Sequence, residues 1–146
     1  MAEVWVLCAT KGQRKQIDVL LASFVASIRW LPQRHSPNTF QARFSLQVDS
    51  AWLASELAMT SGAYEIENEG ERFLYHQGLG VHRQQLDEAG EVVLRVGQIE
   101  RLLQESAGSN AEFARLIRVA QGLAWLDLLE PYRVGALRAD QLPKAV

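Results

Sequence analysis

The sequence predicts an α+β fold, ferredoxin-like in its first half, on three observations. An apolar run from Glu3 to Ala9 is long enough for a buried strand and too short for a helix. Phe40, Ala42, Phe44, Leu46 and Val48 alternate with Gln41, Arg43, Ser45 and Gln47, which marks a strand with one buried and one wet face. The hydrophobic periods then follow one another as strand, helix, strand, strand, helix, strand. Two strand–helix–strand units with right-handed crossovers pair into a four-stranded antiparallel βαββαβ sheet with helices on one face.

Each element has its own signal. Thr10-Lys11-Gly12 breaks the first strand, and Ile17, Leu20, Leu21, Phe24, Val25 and Ile28 recur at helical spacing from about Gln13. A second strand is expected at Ile28 to Leu31, stopped by Pro32, with a turn at Ser36-Pro37-Asn38. Asp49 or Ser50 caps a helix carrying Trp52, Leu53 and Leu57, which ends at Ser61-Gly62. Ala63 to Glu67 is a fourth strand. Residues 69–135 read as an extension: strands at Arg72 to His76 and Val81 to Leu86, then a turn at Asp87 to Gly90 into Glu91 to Leu94. A short helix follows at Val96 to Leu103. Ser109 and Glu112 match a capping box opening the longest helix, through Phe113, Leu116, Ile117, Ala120, Leu123 and Ala124 to Pro131. A single domain over 1–146 is expected, with a loose tail from 136.

Bulk properties exclude several classes. With 146 residues, 48% hydrophobic and 22% charged, the composition is that of one globular domain, not of a disordered chain. A net charge of -2 removes the electrostatic pull that drives binding to nucleic acid. Cys8 is the single cysteine, so no internal disulfide forms, and such sparing use fits a reducing cytoplasm. The N-terminus does not read as a signal peptide, and no run approaches the roughly 20 apolar residues of a membrane span. A cytoplasmic protein is expected.

The charge is unevenly distributed. Residues 1–50 carry a balance of +3, residues 51–94 of -6 and the remainder of +1. The acidic stretch centres on Glu65, Glu67, Glu69 and Glu71, which reads either as a solvated strand end and loop or as a docking surface for a basic partner.

The chemistry-bearing residue types are sparse. His35, His76 and His82 are scattered and Cys8 stands alone, which predicts no metal site, no catalytic residue and no cofactor. The two later histidines flank a Gly-Leu-Gly bend that can bring them onto one surface. In an apolar strand, Cys8 reads as a structural thiol. Lys11, Arg14 and Lys15 sit where a strand turns into a helix, and cations there oppose the helix dipole unless an anion offsets them. They are the anion-binding candidates, set against a plain solvated loop. Trp125, Asp127, Glu130, Tyr132 and Arg133 close the last helix, pairing aromatic and arginine types enriched at interfaces. The alternative is that Trp125 packs into the core while Glu130 and Arg133 tie down the chain terminus.

Gly70, Arg72, Phe73 and Leu79-Gly80, then Ile99 to Leu103, then Trp125 with Leu129-Glu130-Pro131-Tyr132-Arg133 form a recognisable series. On these residues the chain resembles an actinobacterial family of uncharacterised proteins, the domain of unknown function number 3145. Trp30-Leu31-Pro32-Gln33 and the Phe40 strand extend the likeness into the first half. The family pattern carries His-Ser-Ala-Pro and Cys-Pro-His where this chain has Cys8-Ala9-Thr10-Lys11 and Gln13 to Ile17, so roles resting on those histidines do not carry over. Asp127 stays, while Leu126 and Leu128 replace acidic residues. Relatives often lie near type II fatty-acid synthesis genes, which implies a partner in acyl metabolism.

The expectation is a non-enzymatic interaction or regulatory subunit of a larger cytosolic protein, presenting the acidic stretch and the Trp125–Arg133 segment. The alternative is a sensor of a small anion or acyl-CoA-type ligand at Lys11–Lys15. An enzyme of unrecognised type and a nucleic-acid binder stand behind these. Neither a membrane nor a nucleic-acid partner is expected, and the oligomeric state is left open.

Overall fold

The run from Ala2 to Thr10 forms β1, and its last residue converts strand directly into helix. Thr10 Oγ1 accepts from the Gln13 amide at 3.2 Å while Gln13 Oε1 accepts from the Thr10 amide at 2.9 Å. This reciprocal cap starts α1 (Lys11–Leu20) with no linker. The computed structural model describes residues 1–136. Beyond α1 lie β2 (Leu31–Gln33), β3 (Thr39–Leu46), α2 (Ser50–Thr60), β4 (Ala63–Asn68), β5 (Glu71–His76), β6 (Gly80–Leu86) and β7 (Val92–Val93). Three helices follow: α3 (Val96–Glu105), α4 (Asn110–Ala120) and α5 (Leu123–Gly135). No described helix is long and apolar enough to cross a membrane.

All seven strands join one antiparallel sheet in the order β2-β3-β1-β4-β5-β6-β7. The order as a whole departs from the four-stranded ferredoxin-like sheet expected, because β5 pairs along the whole of β4 and carries the sheet onward. The β4–β5 connection turns at Glu69 and Gly70, with φ of 46° and 78°, the left-handed pair a two-residue hairpin requires.

The two sheet faces have separate cores. On one, α1 and α2 pack Ile17, Leu21, Leu53 and Leu57 against Val4, Val6, Tyr64, Ile66 and Phe73. On the other, Leu129 of α5 packs against Leu7, Cys8, Ala63 and Leu74. A bulge in β1 between Val6 and Ala9 places successive residues Leu7 and Cys8 on the α5 side. Helices on one face of the sheet were expected; α5 covers the second face as well. Gln41, predicted to be wet, is accordingly buried, and its Oε1 accepts from Trp5 Nε1 at 3.0 Å.

Other elements differ from their sequence signals for identifiable reasons. α1 ends at Leu20, and Val25 and Ile28 reach the same core from the turn and loop beyond it, so their spacing resembled a longer helix. β2 contains Pro32 instead of ending before it, which is tolerated because β2 is an edge strand. The single long C-terminal helix is two, broken at Gly122, whose φ of 73° no continuing helix adopts. Pro131 lies inside α5 and does not end it. Ser109 caps α4 as predicted, its Oγ accepting from the Glu112 amide at 3.2 Å. Ala136 bridges to Gln33 in β2; the rest of the expected loose tail lies outside the described residues.

Candidate functional site

Three surfaces hold the residues singled out in the sequence, and their surroundings separate anchors from exposed groups. The first is α5 against the sheet. Trp125 Nε1 donates to the Gly80 carbonyl at 3.0 Å, and its ring stacks on His82 with centroids 4.5 Å apart. Tyr132 sits edge-on to His35, centroids 4.6 Å apart, with His76 beyond it at 6.0 Å. The Tyr132 carbonyl accepts from Gln33 Nε2 at 2.9 Å, and the same nitrogen reaches the Leu7 carbonyl at 2.8 Å. Trp125 and Tyr132 therefore pack toward the core, and the three histidines serve as their contact surfaces. Asp127 and Glu130 are exposed.

Arg133 joins the two stretches that the sequence kept apart. Its guanidinium forms an ion pair and hydrogen bond with Glu65 of β4, with side-chain exposures of 29% and 16%. Burial holds the Arg133 guanidinium below its ordinary range, and its Nε is buried with no partner. Beside this pair, Arg133 and Leu126 border a groove of about 480 Å³ over the sheet, floored by Trp5, Glu65 and Glu67. Arg43 lies 3.8 Å over the Trp5 ring. Trp5 and Arg43 were not singled out in the sequence, because nothing local marks a strand residue whose partner lies on a distant strand.

The acidic stretch is largely neutralised by pairing. Glu67 meets Arg72 at 3.5 Å and Glu71 pairs with Arg83, while Glu69 occupies the hairpin turn with no ion pair among the described residues. Cys8 is buried, and that burial pushes its thiol up, so it stays protonated near neutrality. Among the described residues no group of three or more histidine, cysteine or carboxylate side chains is placed to hold a metal ion.

The third surface is the outer side of α1 and α2. Lys11 and Lys15 are exposed there, whereas the Arg14 guanidinium lies 4.2 Å over the Phe40 ring. The Thr10–Gln13 cap satisfies two amides at the start of α1, and Arg14 is engaged with the Phe40 ring. Next to them runs an apolar stripe: Val19 is 80% exposed and Met59 70%, and with Leu20 they line an open groove of about 610 Å³ flanked by Lys15 and Glu56. Phe24 and Trp52 continue it, half exposed and in ring contact at 5.9 Å. In the sequence, Phe24 and Trp52 read only as apolar residues of the two helices. Val19 on the polar side of α1, and an α2 apolar almost all round, were the signals available.

Residues 4–142 match the family described as protein of unknown function (DUF3145). No curated protein and no solved structure matches the chain. The match spans both cores, the α5 anchors and the α1–α2 surface, and on its extent the chain belongs to the DUF3145 family.

Proposed function

We propose that this chain is a non-catalytic interaction domain, a regulatory subunit that docks an amphipathic helix of a larger cytosolic protein in the α1–α2 groove. The observation that carries the reading is the stripe of Val19, Leu20 and Met59, continued by Phe24 and Trp52, on an outer helical surface. Single exposed apolar residues are ordinary, but a contiguous groove of them between two helices suits an incoming apolar helix face. Charge sets the partner's polarity. The first turn of α1 has no acidic residue, and Lys11 and Lys15 stand exposed at that end. A partner helix with carboxylates over these lysines would meet both the cations and the unfavourable dipole end. This moves the docking surface away from Glu65–Glu71 and Trp125–Arg133, whose side chains mostly serve the fold.

Two structural readings support this picture. The run β4-β1-β3-β2, with α1 and α2 on one face, favours regarding residues 1–68 as a ferredoxin-like unit to which later strands were added. The single cysteine, Cys8, free of any disulfide, favours a reducing compartment such as the cytoplasm.

The test is affinity capture from native lysate with three variants in parallel. Met59→Glu removes the partner, Lys15→Glu weakens its retention, and Leu128→Glu on the exposed side of α5 leaves it unchanged. The captured protein must then supply an acidic amphipathic helix that binds as an isolated peptide. Equal capture by all variants, no capture by the native chain, or self-association through Met59 in sedimentation overturns the reading.

A further inference from the structure

We propose that the outer edge of β6, at Val81 and Arg83, takes up an extended acidic segment of a partner protein as an added strand of the sheet. This edge lies apart from the α1–α2 groove and does not depend on the docking reading. Two backbone hydrogen bonds fix which way the β6 peptide groups point. The Leu86 amide donates inward, to the Gly70 carbonyl at 2.7 Å, whereas the Asp87 amide donates outward, to the Glu91 carbonyl at 2.8 Å. Direction alternates along an antiparallel strand in constant register, so His82 and Gln84 address β5 while Val81 and Arg83 turn N–H and C=O away from it. On that outer side β7 is two residues long and pairs only with Gln85 and Leu86. The chain then leaves the sheet. The Arg95 amide, which a longer β7 would bring level with Arg83, donates instead to Gln98 Oε1 at 2.8 Å and starts α3. The outward N–H and C=O groups of Val81 and Arg83 are therefore left with no protein partner among the described residues.

The edge is held in place, and its surroundings select the occupant. β5 pairs along the inner side of β6, while His82 stacks on Trp125 and Gln84 Nε2 donates to the Gln121 carbonyl at 2.8 Å. An unpaired edge so fixed is a template for another strand. Val81 and Val93 are exposed beside it and offer apolar contact to the side chains of an added strand. Where β7 leaves β6 a groove of about 310 Å³ opens, with Arg83 on one side and Arg95 and Arg101 on the other. Its one carboxylate, Glu71, is already paired with Arg83. The basic excess favours a segment that carries carboxylates and disfavours a second copy of the same basic edge. Main-chain hydrogen bonds then supply affinity, and alternate side chains supply selectivity.

The experiment is backbone-amide NMR of the intact chain, alone and with a short capped peptide of alternating valine and glutamate. In the free chain the Val81 and Arg83 amides exchange with solvent about tenfold or more faster, relative to their intrinsic rates, than those of His82 and Gln84. The peptide slows exchange at Val81 and Arg83 and shifts their resonances. A counterpart methylated at every backbone nitrogen cannot donate to the edge and binds about tenfold or more weakly. Arg101→Glu, at an exposed position on α3, weakens the valine–glutamate peptide about threefold or more without altering the fold. No binding of that peptide, equal binding of its methylated counterpart, unchanged binding in Arg101→Glu, or shifts confined to α1 and α2 overturns the proposal. So does protection of the Val81 and Arg83 amides equal to that of their neighbours in the free chain, or a dimer of this chain paired through β6.

Discussion

The two faces of the sheet are held by different forces. Beneath α1 and α2 the contacts are almost entirely apolar: Ile17, Leu21, Leu53 and Leu57 are fully buried against Val6, Tyr64 and Ile66. The main polar contact there is local, the Tyr64 hydroxyl donating to the Ala54 carbonyl at 2.6 Å, and burial pushes that hydroxyl's ionisation up. Beneath α5 the apolar cluster is smaller, and polar contacts hold the helix: Trp125 to Gly80, Gln33 to Leu7 and Tyr132, and Arg133 to Glu65. The first face derives its stability from area and leaves its outer surface free to be apolar. The second uses its aromatic and charged residues internally, although those types also suit an interface. Residue type alone therefore does not separate an interface from an internal anchor, and packing shows Trp125, Tyr132 and Arg133 engaged within the fold.

This contrast is open to attack by substitution. The largest effect is expected in the apolar core, where Leu57→Ala lowers unfolding stability by about 2–5 kcal/mol in denaturant titration, by lost transfer energy and a cavity. Next comes the polar clamp. Arg133→Ala leaves Glu65 half-buried and unpaired and costs about 1–3 kcal/mol. Glu65→Ala together with Arg133→Ala costs less than the sum of the two single changes. Hydrogen exchange should accelerate in α5 and leave α1 and α2 protected; uniform acceleration would erase the distinction between the faces. Gly122→Ala acts on the same face through strain, at about 1–3 kcal/mol, because φ is positive and the added Cβ meets Gln84 and His82.

A smaller effect follows pH. Burial, outweighing a backbone hydrogen bond at Ala120, holds His82 below its ordinary value of 6.5. The unfolded chain then takes up the proton first, so stability is complete above 6.5 and declines as pH falls toward the folded value. His82→Phe should flatten that slope in pH-dependent thermal melts without abolishing it, since burial lowers His76 too. The smallest effect belongs to the exposed rim, where Glu67→Gln should change stability by no more than about 0.5 kcal/mol in the same titrations.

The legible part of the fold was the part governed by local periodicity. The Phe40 alternation, the α2 cap at Asp49, the Ser109 cap and the hairpin after Gly70 all carried their signal within a few residues. What escaped notice depends on distance along the chain. Gln33 meets Tyr132 across 99 residues, Arg133 meets Glu65 across 68 and Trp125 meets Gly80 across 45. No periodicity shows that α5 will cover the second sheet face, so Gln41 read as wet and Glu65 as exposed. The break at Gly122 was visible as a glycine, but its necessity comes from the close approach of Gln84 and His82. The α1–α2 stripe was written in the sequence as Val19 and Met59, and only the packed helices reveal that these face outward together.

The central claim, that the chain docks its partner through the α1–α2 surface and not through α5, is tested most directly by photo-crosslinking from both faces in native cells. A benzophenone amino acid is placed at Met59 in one chain and at Leu128, also exposed, in another. One heterologous crosslink is expected from position 59, mapping to an acidic amphipathic helix, and none from position 128. Crosslinks arising from position 128 while position 59 stays silent would contradict it.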